Sequence, residues 1–105
     1  MENESLELTV GDNGEEVVIT LVGELDIATA PELWAAIDKA LAQGRTKLVL
    51  DLSALAFVDS TGLGVFVRAA KELRAAGGGL ALKAPGERVS KLLAMTRLEE
   101  VFDIR

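Results

Sequence analysis

Cysteine and histidine are both absent from this 105-residue chain. Without cysteine there is no disulfide and no thiolate chemistry. Without histidine the commonest general base and the commonest metal ligand are missing, so neither a Ser-His-Asp nor a Cys-His machine can be built from this chain alone. Basic residues are also scarce: 11 Lys and Arg stand against 17 Asp and Glu, for a net charge of −6. They form no cluster, which argues against nucleic acid and against an anionic membrane surface as partners. No apolar run approaches the ~20 residues of a membrane helix. The opening MENESLEL is acidic and polar, unlike a signal peptide. These absences lead us to expect a soluble, cytoplasmic protein. Half of the residues are hydrophobic, enough for one buried core, so the chain reads as a single domain over 1–105. No repeat, linker or low-complexity tract interrupts it.

What is present alternates between two periods. Leu6 to Val10 alternates apolar and polar, Gly11-Asp12-Asn13-Gly14 is turn chemistry, and Val17 to Val22 is β-branched, which together predict a hairpin. Thr29 and Glu32 have capping-box spacing, Pro31 fits a first helical turn, and Leu33, Ile37, Ala40 and Leu41 recur at helical spacing up to Gly44. Lys47 to Leu52 is apolar almost throughout, as in a strand covered on both faces. Thr61 to Ala76 carries Leu63, Phe66, Val67, Ala70 and Leu73 on one side of a helix, stopped by Gly77-Gly78-Gly79. Leu80 to Leu82 reads as a strand, Val89, Leu92 and Leu93 as a helix, and Val101 to Ile104 as a last strand. The order β-β-α-β-α-β-α-β predicts an α/β fold with a mixed, mostly parallel sheet, an N-terminal antiparallel hairpin and covering helices.

One stretch does not fit a plain core. In AFVDSTGLGVFV (Ala56 to Val67) an acid, two hydroxyls and two glycines separate two apolar runs, where a strand ends and a helix begins. Asp59, Ser60 and Thr61 are all good N-cap types, so the simplest reading is a helix cap. A cap needs only one of them. Gly62 and Gly64, in the first turns of the helix, each cost up to ~1 kcal/mol relative to Ala. What they offer in return is a smooth surface with exposed N–H groups that another macromolecule or an anion can approach.

Enzyme templates fail here. Gly62-x-Gly64 lacks the third glycine of a dinucleotide fingerprint, since position 67 is Val; no Gly-Lys-Ser/Thr tail follows, as a phosphate loop requires. Position 58 is Val, so Ser60 is not in a nucleophile elbow. Asp51-x-Ser53 begins like a metal-ion adhesion motif, but position 55 is Leu. Asp26, Asp51 and Asp59 could hold Mg²⁺ only by converging, and scattered acids more often cap or face water. No catalytic residue, metal ligand, cofactor or small-molecule substrate follows from the residues. Trp34 reads as partly buried packing. Arg68, Lys71, Glu72 and Arg74 read as a solvated helix face, with Arg68 on the same side as the helix start.

DSTGLG (Asp59 to Gly64), preceded by KLVLDLSALAFV, resembles the STAS domain of bacterial anti-sigma-factor antagonists. GELDIATAPEL (Gly23 to Leu33) is similar to the family's second signature, and the order of elements matches over nearly the whole chain. The resemblance implies a phosphorylation switch. Ser60 would be phosphorylated by an anti-sigma factor that is also a serine kinase, and a serine phosphatase would reset it. The unmodified protein would bind the anti-sigma factor and free the sigma factor for transcription. The partner-binding set it implies is Asp26, Asp59, Ser60, Thr61, Gly62, Leu63 and Gly64, with Arg68 from the helix face. Members usually carry a further helix after the last strand, which has no counterpart up to Arg105. The fold also serves as the subunit bound to the ATPase of lipid-transport ABC systems and as the tail of anion transporters, and in those roles the motif would be a contact surface only.

Overall fold

The computed structural model describes residues 5–105; the first four residues, part of the acidic start read above, lie outside the described residues. Strand β1 (Leu6–Asp12) and β2 (Val17–Leu25) form the hairpin. They pair without interruption from Leu6↔Gly23 to Asp12↔Val17. The reversal is tighter than expected. Gly11 and Asp12 belong to the strand, and the turn is Asn13 to Glu16. There the Asp12 carboxylate accepts from Gly14 N–H and the Asn13 side-chain carbonyl from Glu15 and Glu16 N–H.

Helix α1 (Ala30–Ala42) follows, then β3 (Lys47–Val58), α2 (Ser60–Ala75), β4 (Gly79–Lys83), α3 (Glu87–Met95), a 3-10 turn at Leu98–Glu100 and β5 (Asp103–Ile104). The sheet order is β1-β2-β3-β4-β5, antiparallel only between β1 and β2. This is the expected mixed α/β architecture. The last strand is shorter than the sequence suggests, because Val101 is spent on leaving the 3-10 turn.

Every helix buries its apolar stripe in one cluster. Leu33 and Ile37 of α1, Phe66, Ala70 and Leu73 of α2, and Val89 and Leu93 of α3 meet Ile19, Leu21, Leu48, Leu50, Leu52, Leu80 and Leu82 of the sheet. Phe66 also meets Phe102 edge-on at 6.2 Å. Among the described residues no helix covers the opposite sheet face. The expectation that Lys47 to Leu52 is covered on both faces is therefore corrected: Val49 is buried on the open side, in register between Val18 and Ala81, but stands outside the helix-covered cluster.

The expected capping box is also absent. Thr29 precedes α1 but its hydroxyl makes no cap bond; it accepts from Asp26 N–H and donates to the Glu24 carbonyl, both at 3.0 Å. Gly44 does close α1, with φ +81° and Arg45 N–H bonded to the Ala40 carbonyl at 3.0 Å.

β3 runs six residues beyond Leu52. Its pairing with β2 slips twice, from Thr20↔Asp51 to Val22↔Ala54 and from Gly23↔Leu55 to Glu24↔Phe57. Each slip inserts an extra β3 residue, a bulge. The buried positions are consequently spaced by three, at Leu52, Leu55 and Val58. The bulged end carries the strand out to Asp59.

Candidate functional site

β2 and β3 end together: Leu25 pairs with Val58, and Asp59 N–H donates to the Leu25 carbonyl at 3.1 Å. The loops that follow, beginning with Asp26 and Asp59, therefore share the carboxyl edge of parallel strands, where open α/β sheets bind ligands.

Asp59 takes the capping work alone. Its backbone is extended, its carboxylate accepts from Gly62 N–H at 2.9 Å, and its carbonyl accepts from Leu63 N–H at 2.9 Å. Ser60 and Thr61 are left exposed in the first turn of α2. The cap thus accounts for one of the three candidate residues and leaves two hydroxyls facing solvent. Asp26 is built into the neighbouring loop, where one carboxylate oxygen accepts from Ala28 and Thr29 N–H at 3.0 and 3.1 Å. That closed loop holds Ile27 outward, 74% exposed.

The two glycines differ. Gly62 is buried, and a Cβ there would lie 2.7 Å from Leu25 Cγ and from Val58 Cγ2. The reading of Gly62 as part of a smooth approach surface is corrected: it is glycine so that α2 can press onto the ends of β2 and β3. Leu63 is also mostly core, 7% exposed. Gly64 is exposed, with open space where a Cβ would go.

A shallow groove of about 580 Å³ runs from Ser60 past Gly64 and Val67 to Arg68 and Lys71, with Leu98 on its far side. Arg68 is more than a solvated charge. Its guanidinium carbon stands 3.7 Å over the Trp34 ring, and its Nε donates to Glu72 at 3.0 Å. This cation–π stack fixes the arginine on the site's helix. Trp34 packs as expected, but as the platform for Arg68.

Asp51 stands apart from Asp26 and Asp59. It lies within β3, before both bulges. Its carboxylate accepts from Ser53 N–H at 3.0 Å and Ser53 Oγ at 2.8 Å. These bonds hold its pKa below the usual carboxylate value, with Lys83 adding to the effect and burial opposing it. Among the described residues no group of three acids could hold a metal ion, and no helix is long and apolar enough to cross a membrane.

Sequence reasoning passed over three apolar residues at this edge. Phe57 is 39% exposed two residues before Asp59, and Met95 is 75% exposed across a groove from it, alongside Leu92 of α3; Ile27 is the third. Ile27 falls between two elements, outside either periodicity, and that signal was available in the sequence.

A family model described as "Mlab, STAS domain" matches residues 8–104. The chain is 33% identical over 100 residues to the anti-sigma-B factor antagonist of Bacillus subtilis, covering 95% of this chain and 91% of that one. The crystal structure of an anti-sigma factor antagonist from Mycobacterium paratuberculosis superimposes with TM-score 0.86 at 31% identity, over 95% of this chain and 85% of that one. The Bacillus cell fate determinant SpoIIAA in its phosphorylated form superimposes with TM-score 0.76 at 29% identity, over 94% and 91% of the two chains.

Proposed function

This chain belongs to the STAS-domain family, and we propose that it is an anti-sigma-factor antagonist whose hold on its partner is released by phosphorylation of Ser60. The observation that carries the reading is the division of labour in the loop. Asp59 caps α2, so the exposed Ser60 hydroxyl is free for a kinase. A relative is known in a phosphorylated form, which supports the same reading. The kinase is the anti-sigma factor itself, and a serine phosphatase reverses the step. Asp26, Asp59, Ser60, Thr61, Gly64 and Arg68 form the contact surface, with Ile27 and Phe57 adding apolar area. The chain serves as substrate and ligand and performs no catalysis.

The physics favours an interface switch over an unfolding switch. Transfer of the γ-phosphoryl group of ATP to Ser60 Oγ releases the hydroxyl proton and adds about −1.5 to −2 charges at pH 7. That charge sits at the amino end of α2, near first-turn N–H groups that have no intrahelical partner. Its local effect is neutral to mildly stabilising, about 0–1 kcal/mol, trimmed by the adjacent Asp59. A partner pressed on the loop must desolvate the new charge or meet it with its own acids. An uncompensated charge in such a contact costs about 2–5 kcal/mol, which is roughly one and a half to three and a half decades of affinity.

The test is incubation with the anti-sigma factor and ATP, followed by peptide mass spectrometry. Phosphate on Ser60, absent in Ser60→Ala, is the expected result. Tight binding with no phosphate under any nucleotide condition would overturn the switch and leave the loop as a contact surface only; neither binding nor phosphate would favour the lipid-transport role.

A further inference from the structure

The two edges of the sheet are treated differently. β5 is two residues long, and Arg105 beside it bonds both Asp103 and Glu16. A short, charged edge resists pairing with another strand. β1, at the other edge, has seven residues, LELTVGD, in unbroken register with β2. It contains neither Lys nor Pro and has no bulge. Among the described residues nothing covers its outer side, so a row of backbone N–H and C=O groups faces solvent. Val10 is 60% exposed although it points to the helix-covered face with Leu6 and Leu8, and beside it lies a groove lined by Val17, Ala36 and Ala40 together with Lys39, Gln43 and the Asp12–Arg45 ion pair. An open strand edge with an exposed apolar side chain beside a groove is the equipment for strand addition.

We propose that β1 is a self-association edge, at which two copies of this chain pair their β1 strands antiparallel about a two-fold axis through Thr9. Because β1 spans Leu6–Asp12, only the register centred on Thr9 pairs all of its residues. Thr9 then faces Thr9 of the second copy, Leu8 faces Val10, Glu7 faces Gly11 and Leu6 faces Asp12. Each copy's exposed Val10 is covered by the other's Leu8, and no two acids oppose each other. In-register parallel pairing would bring Glu7 beside Glu7 and Asp12 beside Asp12, a like-charge arrangement that antiparallel pairing avoids. The side-chain alternation stays in phase, so both helical layers lie on the same side of one continuous sheet. The joined strands run oppositely, which sends the two Ser60 loops to opposite ends and leaves both open.

The contact is small, below the roughly 1,200 Å² of standard stable interfaces, so the dimer is a weak one. Each copy carries −6, and salt screens that repulsion. Association therefore strengthens as salt rises, about tenfold between ~0.02 and ~0.5 M.

The natural chain has no cysteine, so single cysteines report the register. In Thr9→Cys the two thiols sit directly opposite, with Cβ atoms about 5 Å apart. In Glu7→Cys they are offset by four residues, roughly 13 Å along the strands, too far for a disulfide. Sedimentation velocity of the full chain over rising concentration and salt, with mild oxidation of both variants, tests the proposal. We expect a salt-strengthened dimer, at least about tenfold faster cross-linking of Thr9→Cys, and a monomeric Val10→Lys whose melting temperature matches the parent. A chain monomeric at every concentration would overturn the proposal. Equal cross-linking of the two variants, or undiminished dimerisation of Val10→Lys, would also overturn it.

Discussion

Adding one methyl group at each of two glycines in α2 should move stability in opposite directions. At Gly62 the new Cβ would lie 2.7 Å from Leu25 Cγ and Val58 Cγ2 and 2.8 Å from Leu25 Cδ2. These are side chains, but Leu25 is fully buried and Val58 is 6% exposed, so neither can retreat freely. Overpacking of this kind costs about 1–3 kcal/mol. The better helix propensity of alanine returns at most ~1 kcal/mol, and less in the first turn than in the interior. The net for Gly62→Ala is a loss of about 1–2 kcal/mol, or several degrees of melting temperature for a domain of this size. At Gly64 nothing lies within 4 Å of the added atom, so Gly64→Ala keeps the propensity gain and rises by about 0.5–1 kcal/mol. Urea and thermal melts of the two variants against the parent measure both signs. If Gly62→Ala proves as stable as Gly64→Ala, the close seating of α2 on Leu25 and Val58 is refuted. Partner titration adds a second readout. Gly64→Ala should weaken binding despite its higher stability, because its methyl projects into the groove beside Ser60.

Three further outcomes follow from single contacts. Asp59→Ala removes the α2 cap and should cost about 1 kcal/mol in urea denaturation; an unchanged midpoint would mean the Gly62 N–H finds another acceptor. Asp12 is paired with Arg45, which, with the Gly14 N–H, lowers its pKa from 3.8 to about 2. A carboxylate with a lowered folded pKa contributes stability that is full above its unfolded value and lost as pH falls through the folded one. The parent should therefore lose melting temperature between pH 4 and 2 more steeply than Asp12→Asn, and parallel curves would contradict the pairing. Ala84 has φ +53° ahead of Pro85, a left-handed conformation costly for any residue with a Cβ. Ala84→Gly should stabilise by about 0.5–1 kcal/mol, and a lower melting temperature would refute the strain.

The hairpin, the three helices and the mixed sheet were legible because Val17 to Val22, Leu33 to Leu41 and Leu63 to Leu73 keep their periods cleanly. β3 was legible only as far as Leu52. Beyond it two bulges change the spacing of buried residues from two to three, so Leu55 and Val58 look aperiodic in sequence. The capping box failed for a local reason: the Thr29 hydroxyl found the Glu24 carbonyl and Asp26 N–H before it could cap α1. The pairing of Arg68 with Trp34 brings together residues 34 positions apart on two helices, and no periodicity within either helix reports that. The hydroxyl pair at Ser60 and Thr61 stood out in sequence, but which residue caps α2 required the carboxylate geometry of Asp59. Gly62 was misread because a glycine kept for close packing and one kept for open approach look the same in a sequence.

The central claim is that phosphate on Ser60 acts at the interface and leaves the fold intact. One paired measurement reaches it directly: the affinity for the anti-sigma factor and the melting temperature of the same preparation, plain and stoichiometrically phosphorylated on Ser60. The account predicts that affinity falls by about two decades or more while the melting temperature stays within a few degrees, with Ser60→Asp falling part of the way and Ser60→Ala binding throughout. Unchanged affinity would contradict it, and so would a melting temperature lowered by tens of degrees, which would make unfolding the switch.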